Sequence, residues 1–297
     1  MNADTIAQKR TAMTNTERER ESNKRAKRSF SARNIVKQLL PPIAITILKR
    51  VLAKQYLGFV NYPSWEQAEQ ASEGYDSDSV IEKVRKAAKL VFDGEAVYER
   101  DSVVFDEIDY SYPLLASLLF AAANSETLKV IDFGGGLGTT YQQNRRFLSK
   151  INRTCQWRVV EQEKFVSIGK REFTNETLSF YSTIEEAYKD GVDVVLFGGS
   201  ICYVSNPYIF MEKAKATRAP YIIFDRTPTT NLKEDTFAVQ NVPPSIYKAS
   251  FPIRNFSYNN ITMYFKDEYE LIEEWVCDLQ ADPNTSAMGF IFKRKSD

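Results

Sequence analysis

Asp132-Phe133-Gly134-Gly135-Gly136-Leu137-Gly138 is the densest set of residues able to do chemistry in this 297-residue chain. Glycine admits positive φ and lets a backbone approach a ligand closely. Before the glycines, Lys129 to Phe133 carries the β-branched pair Val130 and Ile131 and reads as a buried parallel strand; after them, Thr140 to Leu148 reads as a helix. A strand, a glycine turn and a helix bring free N–H groups and the positive end of a helix dipole to one point, which suits a nucleotide-like cofactor. Dinucleotide binding asks for G-x-G-x-x-G, and here the third glycine position of that pattern falls on Thr139, so the spacing speaks against NAD.

A second candidate follows from the strand after that helix. Gln156 to Glu161 reads as a strand ending in a carboxylate, and a carboxylate at a neighbouring strand tip can accept hydrogen bonds from both hydroxyls of a ribose. Glu161 follows Gly138 at close to the ~20-residue spacing of such acids in nucleotide-binding βαβ units. Further on, Gly198-Gly199-Ser200 opens the tip of a fourth strand and Asp225-Arg226 follows a fifth. The chain has no histidine, so acid–base chemistry must come from Asp, Glu, Tyr or Lys, and the commonest metal ligand is missing. Its three cysteines, Cys155, Cys202 and Cys277, form no C-x-x-C pair, so neither a metal site nor a disulfide framework is expected, and a reducing cytoplasm fits.

Composition bounds the partners. Lys+Arg and Asp+Glu both total 39, which gives no global signature of nucleic-acid binding, and the 43% hydrophobic content supports a packed core. The charge is unevenly placed: residues 1–33 hold nine basic residues against four acidic ones, a net of +5 balanced by −5 over the rest. That segment, 1–33, is expected to be a disordered basic arm. Residues 34–60 are expected to form an amphipathic helix, with Ile43, Ala44, Ile47, Leu48, Val51 and Leu52 opposite Thr46, Lys49, Arg50 and Lys54. Such a helix either docks on the body of the protein or lies at an anionic membrane surface on the cytoplasmic side. No apolar run reaches the ~20 residues of a spanning helix and no signal peptide opens the chain.

The elements that position the candidate residues can be read in order. Residues 61–126 form a helical N-terminal extension: a short segment from Trp65, an amphipathic helix opened by the capping pattern Ser79/Glu82 and stopped at Gly94, and a strong buried helix from Tyr112 to Ala123. Between them Tyr98-Glu99-Arg100-Asp101-Ser102 breaks the apolar pattern. The first four of these are site candidates, although a structural ion pair explains the charges equally well. From 127 to 297 strand and helix alternate: Leu178 to Tyr181, Val192 to Phe197 and Tyr221 to Phe224 are the third, fourth and fifth strands. The fold class is therefore α/β, a doubly wound, mostly parallel seven-stranded sheet with ligands at the carboxyl ends of its strands. Residues 229–265, rich in Pro, Asn, Tyr and Phe, break the alternation and read as a lid loop. Asp267 to Trp275 reads as a helix, Val276 to Gln280 as a strand and Gly289 to Arg294 as the last strand.

The acid two residues before a G-x-G-x-G row resembles the first motif of class I S-adenosylmethionine-dependent methyltransferases. Within that family the chain resembles a group of bacterial methyltransferases often encoded among surface-polysaccharide genes. The residues carrying this are Ser64 to Ala68, Gly74 to Asp76, Tyr98 to Ser102, Asp132 to Gly138, Val159 to Gln162, Asp225 to Pro228 and Val239-Gln240 through Tyr247. The resemblance implies a Rossmann-like fold with an antiparallel final strand and S-adenosyl-L-methionine as cofactor, its methionine end held at the glycine turn. The cofactor set is then Asp132, Gly134, Gly135, Gly136, Gly138, Glu161, Ser182, Gly199 and Ser200. Ser182 and Thr183 stand where many methyltransferases place an acid for the adenine amine, so backbone groups are expected to read adenine.

The implied reaction is methyl transfer to a hydroxyl of a sugar, a glycan precursor or another small polar metabolite. A hydroxyl acceptor needs a base: Asp225 at the fifth strand is the first choice, with Tyr203 and Asp101 as alternatives and Arg226 able to hold an anionic group of the acceptor. A non-catalytic scaffold of the same fold in a membrane-associated glycan assembly is the alternative, and an NAD-dependent oxidoreductase a more distant one.

Overall fold

The computed structural model describes residues 59–73, 78–123, 125–151, 154–242, 249–277 and 285–296. The basic arm and nearly all of the helix expected over 34–60 lie outside the described residues. Where that span becomes visible, at 59–60, it is already strand β1.

In chain order the elements are β1 (Phe59–Tyr62), α1 (Trp65–Gln70), α2 (Asp78–Phe92), β2 (Tyr98–Arg100), β3 (Val103–Phe105), α3 (Tyr112–Ala122), β4 (Thr127–Phe133), α4 (Thr139–Leu148), β5 (Thr154–Val160), α5 (Glu163–Glu172), β6 (Leu178–Tyr181), α6 (Ile184–Ala187) and β7 (Val194–Gly198). A 3-10 turn (Ile201–Tyr203) precedes α7 (Pro207–Ala216), β8 (Tyr221–Thr230), β9 (Thr236–Asn241), β10 (Ser250–Ser257), α8 (Tyr258–Tyr264), β11 (Tyr269–Val276) and β12 (Thr285–Arg294).

Seven strands run in the order β6-β5-β4-β7-β8-β12-β11. β4 to β8 pair in parallel, and β12 runs antiparallel between β8 and β11. The chain leaves β4 toward β5 and β6, then returns to the other side of β4 with β7 and β8, so the winding reverses between β4 and β7. That reversal opens a crevice at the carboxyl ends, where ligands bind in open α/β sheets. Apolar side chains leave both faces: Val130, Trp157, Leu196 and Ile223 pack under α2, α3 and α5, while Ile131, Phe197, Ile222 and Phe224 pack with α7 and α8. The strand cores are continuous apolar runs because each parallel strand is covered on both sides.

Three expectations need correction. The described residues of 229–265, which leave out 243–248, are not a lid loop: they form the end of β8, then β9, β10 and α8, and β1-β9-β10 extends the sheet to ten strands among the described residues. β9 pairs antiparallel with both β1 and β10, so Ala238, Val239, Phe251 and Ile253 are buried by partners far away in sequence. Residues 267–275 are not a helix: Tyr269 to Val276 is β11, stabilised by its ladder to β12. The strand expected over 276–280 therefore ends where it was to begin; 278–280 lie outside the described residues.

The extension 61–126 is helical in part, with the hairpin β2–β3 inserted between α2 and α3. Helix α2 starts at Asp78, one residue before the expected capping pattern, and the Glu82 carboxylate takes Arg85 at 2.7 Å instead. No helix among the described residues is long and apolar enough to cross a membrane.

Candidate functional site

The glycine turn is built from packing first. Gly134 takes φ 68 and donates its N–H to Val160 O at 2.8 Å, stitching the turn to β5; a Cβ here would collide with Ser200. A Cβ on Gly135 would stand 2.5 Å from Asp132 Oδ2, and one on Gly138 2.9 Å from Leu178. Gly136 differs: at φ 58, a Cβ would meet nothing within 4 Å. Three of the glycines are thus demanded by the protein's own atoms, and Gly136 alone faces open space.

Asp132 lies beneath this turn, 1% exposed, with Oδ2 accepting from Trp157 Nε1 at 3.0 Å and Oδ1 buried without a partner. Burial pushes its carboxyl up to about 7, against the pull of the Trp157 bond. Glu161 stands one residue past β5, its carboxylate accepting from the N–H of Gln162 at 2.7 Å and from the N–H of Gly136. Burial raises it too, and those two N–H groups oppose the rise. The expected ribose carboxylate is therefore tied directly to the glycine that faces open space.

The hairpin β2–β3 closes over the same turn. Its tip, Asp101-Ser102, has φ 53 and 66, the two left-handed residues of a tight hairpin turn. Glu99 is buried, 3% exposed, as its neighbour Tyr98 is, and accepts from the Thr139 hydroxyl at the head of α4 and from the N–H of Ser102. Burial pushes Glu99 up to about 7. Helix α4 has no side-chain cap of its own, because Gly138 occupies the N-cap, so Glu99 supplies its negative charge to that end. Tyr98, buried, and the carbonyl of Asp109 both meet the Gln143 amide of α4, which fixes the hairpin and the segment after it to the helix.

The tips of β4 and β7 lie side by side, with Asp225 of β8 level with the end of β7. Ser200 donates to Phe133 O and packs on Gly134, while Gly199, at φ 82, has Arg226 as its nearest neighbour. Asp225, 0% exposed, accepts at Oδ1 from Ser111 Oγ (3.0 Å) and Trp275 Nε1 (3.2 Å); its Oδ2 makes no hydrogen bond but lies 3.3 Å from Arg226 Nε. Asp101 also acts electrostatically on Arg226, so it lies near the same pair.

Two expected residues are engaged elsewhere. The Tyr203 hydroxyl donates to Gln240 Oε1 at 2.7 Å on β9, which puts the phenol on the sheet extension instead of on the Asp225 carboxylate. The Ser182 hydroxyl donates to Glu163 and its N–H to Glu186, so Ser182 serves the start of α6 together with the Thr183 cap. The sequence reading missed Ser111, Thr139 and Trp275 as site residues. Thr139 was marked only by its place after the last glycine, and Ser111 and Trp275 carried no signal because long-range folding brings them to Asp225.

No family model and no curated protein sequence matches this chain. Solved structures similar to it in fold include the N-terminal domain of EvdMO1, crystallised in the presence of SAH and D-fucose (14% identity, 74% of this chain and 98% of that one, TM-score 0.44). Others are 1,6-didemethyltoxoflavin-N1-methyltransferase of Burkholderia thailandensis (11%, 76% and 95%, 0.41) and magnesium protoporphyrin IX methyltransferase (ChlM) of Synechocystis PCC 6803 (12%, 78% and 93%, 0.42).

Proposed function

We propose that the chain is an S-adenosylmethionine-dependent methyltransferase acting on a hydroxyl of a sugar, a glycan precursor or another small polar metabolite. One observation carries the reading: the glycine turn is ringed by the carboxylates of Asp132, Glu161 and Glu99, none of which has an ion-pair partner among the described residues. The head of α4, where a dinucleotide would lay its pyrophosphate, already has Glu99 against it. Such a cradle disfavours the two adjacent negative charges of a pyrophosphate, leaves the α4 N–H groups room for at most a single carboxylate, and suits a cofactor of net positive charge.

The residues fit that cofactor. Gly136 leaves room beside the turn, Glu161 offers a carboxylate for the ribose hydroxyls, and Gly199 and Ser200 form the opposite wall. When bound, S-adenosylmethionine supplies a methyl group on a sulfonium, an electrophile. The chain's own task is to align an acceptor and exclude water. Arg226, next to Gly199, orients the acceptor, and Asp225 Oδ2, a buried acceptor atom with no hydrogen bond, is placed to receive the hydroxyl proton. A carboxylate oxygen and a guanidinium side by side present one acceptor and one set of donors, which matches two neighbouring hydroxyls of a sugar.

Calorimetric titration with S-adenosylmethionine, S-adenosylhomocysteine and NADH tests the reading. Binding of the first two and not of NADH is expected. Binding of NADH alone overturns it.

A further inference from the structure

Hairpin β2–β3 belongs to neither the glycine motif nor the Asp225–Arg226 pair, yet it sinks a buried carboxylate at the cofactor turn. Burying a carboxylate is costly unless it is paired, so an inward-facing Glu99 needs a reason. Arg100, the neighbouring cation that bears on it, directs Nη2 to Asp109 at 3.2 Å. Asp101, the other charged group close by, is also an acid. Glu99 receives only a hydroxyl and one N–H. A structural carboxylate serving as a cap for α4 would need no more than that, but it would have no cause to be cut off from solvent beside an open turn.

We propose, building on the methyltransferase reading, that Glu99 is a cofactor-binding residue that takes the α-ammonium group of the methionine portion of S-adenosylmethionine. The methionine portion is a zwitterion. The turn presents matching charges, with N–H groups at the uncapped head of α4 for the carboxylate and Glu99 beside them for the ammonium. Thr139 is the positioning residue: its hydroxyl holds the Glu99 carboxylate at the helix head. The hairpin is then a wall of the cofactor site, and Tyr98 on Gln143 keeps that wall seated.

The test compares wild type with Glu99→Gln, which keeps the size of the side chain and an acceptor for Thr139. Three probes are titrated at pH 8: S-adenosylmethionine, S-adenosylhomocysteine and 5′-methylthioadenosine, which lacks the amino-acid portion. Losing a charge-assisted bond should weaken the first two by roughly tenfold to over a hundredfold, with 5′-methylthioadenosine unchanged within about twofold. Unchanged affinity for S-adenosylhomocysteine in the variant overturns the proposal, and so does an equal loss for all three probes, which marks Glu99 as merely structural. Wild type that binds neither S-adenosylmethionine nor S-adenosylhomocysteine defeats the methyltransferase reading instead. Should the variant fail to fold, a crystal structure of the wild-type complex with S-adenosylhomocysteine decides: the amino nitrogen within hydrogen-bond distance of Glu99 supports the assignment, and an amino nitrogen bonded elsewhere refutes it.

Discussion

Arg226 Nε lies 3.3 Å from Asp225 Oδ2, although the two residues are consecutive in one strand and should point to opposite faces of the sheet. A bulge resolves this. Phe224 pairs with Phe290 and Thr227 with Met288, so Asp225 and Arg226 together oppose the single residue Gly289, and Arg226 takes φ 52. The extra residue lets the two side chains meet. Gly289 has its own part: the Trp275 indole covers its backbone so closely that a Cβ would fall inside the ring, and this placement lets Trp275 Nε1 reach Asp225.

Gly289→Ala should therefore displace Trp275 and cost about 1 to 3 kcal/mol of stability, the range for overpacking a filled site. Trp275→Phe, which keeps a ring there but removes the donor, should cost less and should still lower methyl transfer. Thermal melts of both variants check the order; equal stability of Gly289→Ala and wild type would contradict the packing.

Asp225→Asn keeps an oxygen for Ser111 and Trp275 but removes the base. Methyl transfer should fall by about 10²- to 10⁴-fold, the usual worth of general acid–base catalysis, with S-adenosylhomocysteine affinity unaltered. The readout is S-adenosylhomocysteine formation over a panel of neutral and anionic sugars. A variant as active as wild type would remove Asp225 from the reaction.

The glycines should separate by variant. Gly135→Ala meets Asp132 at 2.5 Å and should lower the melting temperature without any ligand. Gly136→Ala has room, and its backbone at φ 58 costs about 1 to 2 kcal/mol for a residue with a Cβ, so the fold survives. It should nevertheless lose the melting-temperature increment given by saturating S-adenosylhomocysteine. Glu161→Ala should weaken that ligand by about 1.5 to 3 kcal/mol while leaving the apo protein folded.

The two carboxyls raised to about 7 set a pH dependence. Asp132 and Glu99 hold protons in the folded state at pH values where the unfolded chain, with ordinary carboxyls at 3.8 and 4.5, has released them. Between about 4.5 and 7 the folded protein binds more protons, so these groups lower its stability as pH rises through that window. The apo melting temperature should be higher at pH 5.5 than at pH 8, and Asp132→Asn should flatten the difference. An unchanged slope in Asp132→Asn would assign it to other groups.

Much of the site was legible in the sequence because its parts are local. Strand β4, the glycine turn and α4 are one continuous stretch, and Glu161 and Asp225 each directly follow an apolar run that announces a strand, although β8 continues past Asp225 to Thr230. The alternation of strand and helix from 127 to 230 also fixes the doubly wound sheet, since parallel neighbours need helical crossovers. Tertiary structure decided the rest. β11 looked helical because its bulge between Leu271 and Glu273 breaks the two-residue period, and only the ladder to β12 makes it a strand. β9 and β10 looked like a loop because Asn and Pro interrupt their short apolar runs. Pro252 is tolerated since β10 meets β8 only at Phe256 and Ser257, leaving its edge free at the proline. Local patterning marks elements whose hydrogen bonds close within themselves or whose apolar runs are uninterrupted. The bulge at Asp225-Arg226, the indole on Gly289 and the hairpin that buries Glu99 depend on partners tens to more than a hundred residues away, and no local period encodes them.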